Sequence, residues 1–201
     1  MATLLQINSS IFGGQGVSTT LADRFVSHWQ AANPDGQIIR RDVAAEPLPH
    51  LDSATVAALM TPAGQRTPAQ AERVTLADTL IDEIQRADVL VIGAPMYNFT
   101  IPSQLKSWFD YIARARVTFR YTEHGPEGLL TGKKAYVFAT RGSVYGEAPA
   151  DGVTTYVRQM LAFLGIVDVE FIYADGLNMG DEPRTAAIAG AEQAIAALTA
   201  A

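Results

Sequence analysis

The chain alternates short apolar runs with longer stretches in which apolar side chains recur at helical spacing. The apolar runs predict five strands, at residues 3–8, 37–43, 89–94, 135–139 and 167–174. The periodic stretches predict helices at residues 19–32, 53–59, 102–115 and 153–164, one that begins at Thr67-Pro68, and one from Pro183 onward. Strands that alternate with helices in this way favour a parallel sheet with helices packed against it.

Residues 88–110, DVLVIGAPMYNFTIPSQLKSWFD, form the central strand, loop and helix of this pattern. The run at 89–94 lacks polar alternation, which is typical of a parallel strand covered on both faces. It breaks at Pro95 into an aromatic loop, and a helix restarts at Pro102, because proline is tolerated in a first helical turn. The loop therefore lies at the carboxyl end of the strand, where open α/β sheets bind ligands.

Five strands alternating with helices match a flavodoxin-like α/β domain, with a parallel sheet in the strand order 2-1-3-4-5 and helices on both faces. No repeat or linker divides residues 1–201, so we expect one domain. An irregular excursion interrupts the alternation at about 117–134. Within it, the pattern at 117–121 predicts an edge strand or a hairpin arm, and the Gly-Pro-Glu-Gly sequence at 125–128 predicts its turn.

In that strand order the carboxyl ends of strands one, three and four meet, and the loops that follow them are 9–18, 95–101 and 140–146. The first is rich in serine and glycine and precedes a helix N-terminus, which favours a phosphate. The second offers aromatic and thioether surface beside Asn98. The third offers Arg141 as a donor, next to glycine backbone that can approach a ring closely. A ligand with a phosphate at one end and a flat, polar-edged ring at the other suits these loops, and flavin mononucleotide (FMN) has that shape.

Other nucleotide motifs fit less well. Gly14-Gln15-Gly16 resembles the start of a dinucleotide-binding G-x-G-x-x-G motif, but Thr19 stands at the third glycine position and the loop is long for that turn. Asp42, at the end of the second strand, could imitate the acid that binds a ribose, so a dinucleotide fold stays an alternative. The chain contains no G-x-x-x-x-G-K-[ST] sequence, which excludes a P-loop nucleotide hydrolase.

The composition of the 201 residues narrows the classes further. With 48% hydrophobic and 18% charged residues the chain is typical of a globular protein, and its net charge of −6 without a basic cluster disfavours nucleic acid as a partner. The absence of cysteine excludes disulfides, thiolate nucleophiles and cysteine-ligated metals. No apolar run is long enough for a membrane span, and the N-terminus lacks the features of a signal peptide, so we expect a cytoplasmic protein without a membrane partner.

The three histidines give no sign of catalysis or of metal binding. We expect His28 on the solvent side of a helix, His50 in a structural role and His124 in a turn. No spacing of His, Asp and Glu suggests a metal site, and no pair resembles a nucleophile with its base. A chain of this kind fits an enzyme whose cofactor carries the chemistry.

Several stretches resemble the FMN-dependent NADH azoreductases, which belong to the flavodoxin-like NAD(P)H–quinone oxidoreductases. They are APMYNFTIPSQLKSWFD at 94–110, VTFRYTEHGPEGLLTGKKA at 117–135, TRGS at 140–143 and the opening LLQINSSIFGGQGVSTTLA. The resemblance implies FMN contacts at the phosphate and at the ring by Ser10, Gly16, Val17 and Ser18, and by Met96, Tyr97, Asn98, Phe99, Thr140, Arg141, Gly142 and Ser143. The family has more polar residues where Gly16 and Val17 stand, so side-chain contacts are lost at those two positions. Thr140 and Ser143 replace the usual serine and glycine, which is a mild change.

The resemblance also implies an enzyme that uses NADH to reduce quinones, or the azo bond of aromatic azo compounds, at a tightly but non-covalently bound FMN. Donor and acceptor would occupy one slot in turn, which predicts ping-pong kinetics. No side chain is assigned as catalytic, but Asn98 and the backbone N–H groups of residues 140–142 are candidates to stabilise negative charge on the reduced flavin. Candidate walls of the substrate pocket are Phe119, Tyr121 and Phe163. The family implies a homodimer in which each subunit completes the other's flavin site.

A flavin-bearing electron carrier without a small-molecule substrate of its own is the alternative from another class. Carriers commonly present an acidic docking surface, for which a net charge of −6 is modest. The excursion at 117–134 is also larger than a bare carrier needs. A non-catalytic binding module is a third possibility.

Overall fold

The fold is a five-stranded parallel sheet accompanied by a separate two-stranded hairpin. The computed structural model describes residues 2–145 and 151–199. Its elements, in chain order, are β1 (Thr3–Asn8), α1 (Val17–Ala32), β2 (Gln37–Asp42), α2 (Ser53–Met60), α3 (Pro68–Arg86), β3 (Val89–Pro95), α4 (Ser103–Ile112), β4 (Phe119–Thr122), β5 (Gly125–Gly128), β6 (Lys134–Thr140), α5 (Gly152–Leu164), β7 (Asp168–Ala174) and α6 (Asp181–Thr199). Each predicted strand and helix is present, with ends that shift by a few residues.

The strand order of the sheet is β2-β1-β3-β6-β7, and every neighbouring pair is parallel. The predicted order 2-1-3-4-5 needs a correction in its numbering, because β4 and β5 precede the fourth strand of the sheet and do not join it. They pair antiparallel with each other instead. The chain order reverses between β1 and β3, and this reversal opens a crevice at the carboxyl ends of the strands.

Helices cover both faces of the sheet and create two apolar cores. One core joins α3, α4 and α5 to strand residues such as Leu5 and Ile92. The other joins α1 and α6 to strand residues such as Leu4 and Val91. Because successive strand residues point to opposite faces, the continuous apolar runs of β1 and β3 serve both cores.

Two predicted helix ends are confirmed in detail. Thr67 caps α3 by accepting a hydrogen bond from the N–H of Gln70 at 3.3 Å, while the Gln70 side chain accepts one from the N–H of Thr67 at 2.9 Å. Pro68 occupies the first helical turn, where its missing N–H has no consequence. Gly165 ends α5 in the left-handed conformation, with φ at 97°. None of the helices in the described ranges has the length and apolar character needed to cross a membrane.

The hairpin differs from its prediction. Residues 125–128 are predicted as a turn, but they form strand β5, and the turn consists of Glu123 and His124. The hydroxyl of Thr122 donates to the carbonyl of Gly125 at 2.8 Å and closes that turn. Pro126 is tolerated in β5 because both strands of a two-stranded ribbon are edge strands.

Candidate active site

A cavity of about 340 Å³ opens at the carboxyl ends of β1, β3 and β6, and its volume lies in the range of small-molecule pockets. Its lining consists of Ser10, Phe12, Gln15, Gly16, Val17, Ser18, Pro95, Met96, Tyr97, Thr140, Arg141, Gly142, Leu177, Asn178 and Arg184. The three loops predicted to meet therefore do meet here. Gly146, the last residue of the predicted third loop, lies outside the described residues.

Nine of the twelve predicted cofactor residues line this cavity, namely Ser10, Gly16, Val17, Ser18, Met96, Tyr97, Thr140, Arg141 and Gly142. The other three, Asn98, Phe99 and Ser143, lie one or two positions beyond lining residues. The ring of Phe99 is 62% exposed and packs edge-on against Tyr145, with the ring centroids 6.5 Å apart.

The first loop ends at the N-terminus of α1, where Gly16 is the N-cap residue and contributes no side-chain cap. Ser18 is 1% exposed, and its Oγ has no hydrogen-bond partner among the described residues. A buried hydroxyl without a partner is unfavourable unless a ligand binds it. Together with the free N–H groups of the first helical turn, this hydroxyl fits the phosphate of FMN.

Gly16 is required by its close approach to Ser10. A Cβ at position 16 would overlap Ser10 Oγ and would lie 2.6 Å from Ser10 Cβ. Ser10 is itself held in place, because its Oγ accepts a hydrogen bond from the N–H of Phe12 at 3.2 Å and lies 3.4 Å from the hydroxyl of Tyr97. A larger residue at position 16 cannot fit this backbone. The N–H of Gly16 already donates to the carbonyl of Gly13 at 3.1 Å, so the donors that remain are the N–H groups of the helical turn that follows it.

The second loop is a two-residue turn with an uncommon backbone. Tyr97 and Thr100 exchange two backbone hydrogen bonds, of 2.9 and 3.3 Å, and the φ angles of Asn98 and Phe99 between them are 48° and 73°. Such a turn favours asparagine and strains phenylalanine. The carbonyl of Phe99 accepts a hydrogen bond from the N–H of Gly152 at 3.1 Å, which ties the turn to α5. Within the described part of the chain, the N–H groups of Asn98 and Phe99 donate to nothing.

Arg141, predicted in the third loop as a donor to the ligand, lines the cavity. Its side chain is only 1% exposed, and its two terminal nitrogens are already paired. The guanidinium contacts the carboxylates of Asp151 and Asp175 and donates to the hydroxyl of Thr154 at 2.8 Å. Both acids are distant in sequence, so no local pattern announces the pairing. Two donors of this loop have no partner among the described residues: the buried Nε–H of Arg141 and the N–H of Gly142.

Six lining residues are absent from the prediction: Phe12, Gln15, Pro95, Leu177, Asn178 and Arg184. The N–H groups of Leu177 and Asn178 donate to the carbonyls of Arg141 and Gly142 at 3.0 and 2.9 Å, so the loop after β7 is joined to the loop after β6. The strand order held a signal for this loop, because β7 neighbours β6. No sequence pattern indicated that Arg184 would lie in the cavity wall.

The predicted pocket walls Phe119, Tyr121 and Phe163 do not line the cavity of their own chain. Their rings pack together instead, with the centroid of Phe119 4.5 Å from that of Phe163 and 5.4 Å from that of Tyr121. Gly152, which contacts the Phe99 turn, begins α5, and Phe163 lies roughly 16 Å further along that helix. Within one chain the length of α5 therefore separates the ring cluster from the cavity, and a role of these residues as pocket walls stays a prediction.

The histidines lie away from the cavity lining. His28 is exposed on α1, His50 Nδ1 lies 3.2 Å from the hydroxyl of Ser107, and His124 is in the hairpin turn. Across the two described ranges, no group of three His, Cys, Asp or Glu residues could hold a metal ion. Burial raises the pKa of Tyr156 to about 12, but this tyrosine is also outside the lining. The described lining of the cavity therefore presents backbone donors, hydroxyls and apolar surface, and no acid–base pair is found among those residues.

Comparison with curated proteins finds relatives that match along the full length. FMN-dependent NADH:quinone oxidoreductase 6 of Burkholderia lata is 52% identical over 197 residues, which cover 98% of this chain and 100% of the relative. FMN-dependent NADH:quinone oxidoreductase of Cellvibrio japonicus is 53% identical over 199 residues, with coverage of 98% and 100%.

Solved structures and a family model agree with these relatives. Azoreductase from Bacillus anthracis strain Sterne matches with a TM-score of 0.90 at 30% identity over 99% of each chain. An FMN-dependent NADH-azoreductase from the Ames Ancestor strain, solved in complex with FMN, has a TM-score of 0.87 at 27% identity, over 99% of this chain and 100% of that one. The family model described as "Flavodoxin-like fold" matches residues 2–198. This chain therefore belongs to the flavodoxin-like fold family.

Proposed function

We propose that this chain is an FMN-dependent oxidoreductase that uses NADH to reduce quinones and the azo bond of aromatic azo compounds. The names of its full-length relatives and of its structural neighbours support both activities. The observation that carries the proposal is the cavity, which combines the N-terminus of α1 and the unpartnered hydroxyl of Ser18 with residues 96–97 and 140–142. These parts suit a phosphate at one end and a flat ring at the other.

The residues of the chain bind and orient the cofactor, and FMN, when bound, supplies the hydride chemistry. We assign the phosphate to Ser10, to Ser18 and to the N–H groups of Val17 and Ser18. The N–H of Gly16 already donates to the carbonyl of Gly13 at 3.1 Å, so Gly16 serves by leaving room rather than by donating. We assign the ring to residues 96–99 and 140–143. Within this second group, Asn98, Phe99 and Ser143 act at the edge of the cavity, because they lie just beyond its lining.

Free backbone donors border the cavity at Asn98, Phe99 and Gly142, whose N–H groups donate to no described residue. A preorganised donor aimed at developing negative charge contributes about 3 kcal/mol to the lowering of a barrier. Among the described residues that line the cavity, none is a carboxylate that would oppose such charge. We therefore assign the tuning of the flavin to fixed main-chain groups rather than to a catalytic side chain.

Donor and acceptor share one slot in this proposal. Apolar side chains near the cavity are well exposed, with Phe12 at 66%, Phe99 at 62% and Ile11 at 58%. Such surface suits flat rings, whether of a nicotinamide, a quinone or an azo compound. Alternate occupation of one slot leads to ping-pong kinetics, which give parallel double-reciprocal lines when NADH and a quinone are varied. Intersecting lines would contradict the shared slot.

We further propose that the protein acts as a single-domain homodimer in the cytoplasm, where NADH is available as the donor. In this dimer the cluster of Phe119, Tyr121 and Phe163 completes the cavity of the partner. Tyr121 is 76% exposed and lies too far along the fold to serve its own cavity, which supports this assignment. The net charge of −6 disfavours nucleic acids and anionic lipid surfaces as partners.

The visible spectrum of the purified protein tests the proposal. We expect a yellow protein whose flavin band bleaches when NADH is added without oxygen and returns when a quinone is added. A yellow protein that responds to neither NADH nor NADPH would indicate an electron carrier. A protein that stays colourless after incubation with excess FMN would contradict the proposal.

A further inference from the structure

The phosphate end of the cavity lacks a cation of its own. A phosphate monoester carries a charge of roughly −1.5 to −2 near pH 7. Residues 10–18 contain no charged side chain, and Gly16 and Val17 contribute no polar one. Of the two arginines in the lining, Arg141 is already paired with Asp151 and Asp175. The charge of a bound phosphate therefore has to be balanced from another part of the cavity.

We propose that Arg184 supplies this positive charge, with its guanidinium bound to the cofactor's phosphate at the N-terminus of α1. The inference rests on the proposed function, because FMN is the ligand that brings the phosphate. Arg184 would thus bind the phosphate from α6, the helix that follows β7. This helix is at the opposite end of the chain from the serine- and glycine-rich loop at residues 9–18.

Arg184 is placed in the cavity wall but is not engaged by an acid. Its Nη1 lies 3.4 Å from the carbonyl of Leu177, which is itself a lining residue. Among the described residues Arg184 takes part in no ion pair, in contrast to Arg141 and to Arg24 on α1. Asp181 and Glu182 in the same helical turn do not line the cavity. The guanidinium is therefore free to bind an anion there.

The packing of α6 beside α1 brings Arg184 to the level of the phosphate loop. Arg24 on α1 and Glu192 on α6 are joined by an ion pair of 2.7 Å. Measured from that ion pair toward the N-terminus of each helix, Ser18 lies about 9 Å away along α1 and Arg184 lies about 12 Å away along α6. Both helices run from the same edge of the sheet, so Ser18 and Arg184 come close to the same height.

The buried hydroxyl of Ser18 is independent evidence that an anion binds at this point. Its Oγ is enclosed and lacks a partner among the described residues, and Ser18 is one of the residues that line the cavity. A phosphate oxygen would accept its hydrogen bond and those of the first-turn N–H groups. Arg184 lines the same cavity, and within the described lining it is the cation that no carboxylate already binds.

Comparison of FMN with riboflavin isolates the phosphate, because riboflavin lacks that group and keeps the ring. We would remove the cofactor from the full chain and titrate both flavins by fluorescence quenching. In Arg184→Gln we expect the Kd for FMN to rise about tenfold or more and the Kd for riboflavin to stay within about twofold. Arg184→Lys, which keeps the charge, should recover part of the loss.

Arg24→Gln is the matched control, since it removes a charge from the same pair of helices outside the cavity, and it should bind FMN as the wild type does. Unchanged FMN affinity in Arg184→Gln would overturn the inference, and so would equal losses for FMN and riboflavin. If FMN affinity is unchanged but the KM for NADH rises, the guanidinium serves the phosphates of the dinucleotide instead. Failure of the wild type to bind FMN would refute the proposed function itself, which is a separate outcome.

Discussion

At the scale of single residues, Asn98 and Phe99 combine an unusual backbone with a position beside the candidate ring site. A left-handed conformation is readily adopted by asparagine but costs phenylalanine roughly 1–2 kcal/mol. Strain of this kind persists only where the surroundings impose it, and here Tyr97, Thr100 and Gly152 hold the turn by hydrogen bonds. We interpret the turn as a device that presents free N–H groups at the edge of the cavity.

We expect Asn98→Ala to slow both half-reactions by about 10²-fold, because alanine resists the left-handed conformation and displaces an aimed donor. Stopped-flow absorbance without oxygen measures the reduction by NADH and the oxidation by a quinone separately. Asn98→Gly is the matched variant, since it lacks the amide but readily adopts a φ of 48°. Recovery in the glycine variant would assign the effect to the backbone, whereas rates that are unchanged in Asn98→Ala would refute a role for this position.

Tyr156 provides a prediction about pH. Its hydroxyl is buried without a hydrogen-bond partner in the described part of the chain, and burial raises its pKa from 10.0 to about 12. The unfolded chain therefore loses this proton first, and the folded state loses stability as the pH rises from 10 through 12. We expect Tyr156→Phe to leave the free energy of unfolding at neutral pH unchanged or to raise it by up to about 1 kcal/mol, because no hydrogen bond is lost and an unpartnered buried hydroxyl is removed.

Urea unfolding at alkaline pH measures this contribution. Between the two pKa values, the free energy of unfolding should fall less steeply with pH in Tyr156→Phe than in the wild type. Equal slopes in the two proteins would show that the tyrosine is not buried as described.

At the scale of elements, Arg141 joins the end of β6 to α5 and to the loop after β7. Asp151 is both its partner and the N-cap of α5, where the carboxylate accepts hydrogen bonds of 3.1 Å from the N–H groups of Val153 and Thr154. Asp175 holds the guanidinium from the β7 side at 3.2 Å. A buried ion pair adds little net stability, but removal of one partner is costly because it leaves a buried charge. The network therefore fixes the position of residues 140–142.

Asp151→Asn separates the two roles of that carboxylate, because asparagine is an equally good N-cap but carries no charge. We expect the free energy of unfolding in urea to fall by about 2–3 kcal/mol, which is less than for a fully broken buried pair because Asp175 remains. Asp52→Asn is the matched control at the exposed N-cap of α2, and it should change stability little. Similar losses in the two variants would contradict the importance of the buried charge.

The elements that could be predicted from the sequence are those whose ends carry local signals. Thr67 with Gln70 marks the start of α3, and Gly165 marks the end of α5, since the relevant hydrogen bonds and φ angle involve only neighbouring residues. The hairpin could not be predicted as well. Turn chemistry favours a bend at 125–128, but pairing with β4 decides the conformation, and the ion pair of Arg120 with Glu127 at 2.8 Å lies across that ladder.

At the scale of the whole molecule, the meeting of three loops followed from the strand order, because a doubly wound sheet determines which strand ends adjoin. Three features did not follow. They are the acids that pair with Arg141, the entry of Arg184 into the cavity wall, and the separation of the Phe119 cluster from the cavity. Each depends on contacts between distant parts of the chain, about which local sequence patterns carry little information.

We expect Tyr121→Ala to lower kcat/KM for a quinone by about tenfold while leaving the free energy of unfolding within about 0.5 kcal/mol, because the side chain is exposed in its own subunit. A mixed dimer tests whether the effect crosses the interface. One subunit carries Tyr121→Ala, and the other carries Gly16→Val, which we expect to block FMN binding because the added side chain collides with Ser10. The intact flavin site then faces a wild-type Tyr121, so activity should return; a mixed dimer as slow as Tyr121→Ala alone would place the tyrosine's effect within one chain.

The close approach of Gly16 to Ser10 determines which single substitutions this loop can tolerate. In a library that varies position 16 alone, every active clone should carry glycine there. Any added side chain collides with Ser10, which is itself held by Phe12 and Tyr97. A polar residue can enter position 16 only together with a change at position 10, and each of these steps is unfavourable without the other. Selection for tighter phosphate binding would therefore act more readily on the opposite wall of the cavity, where α6 can change one residue at a time.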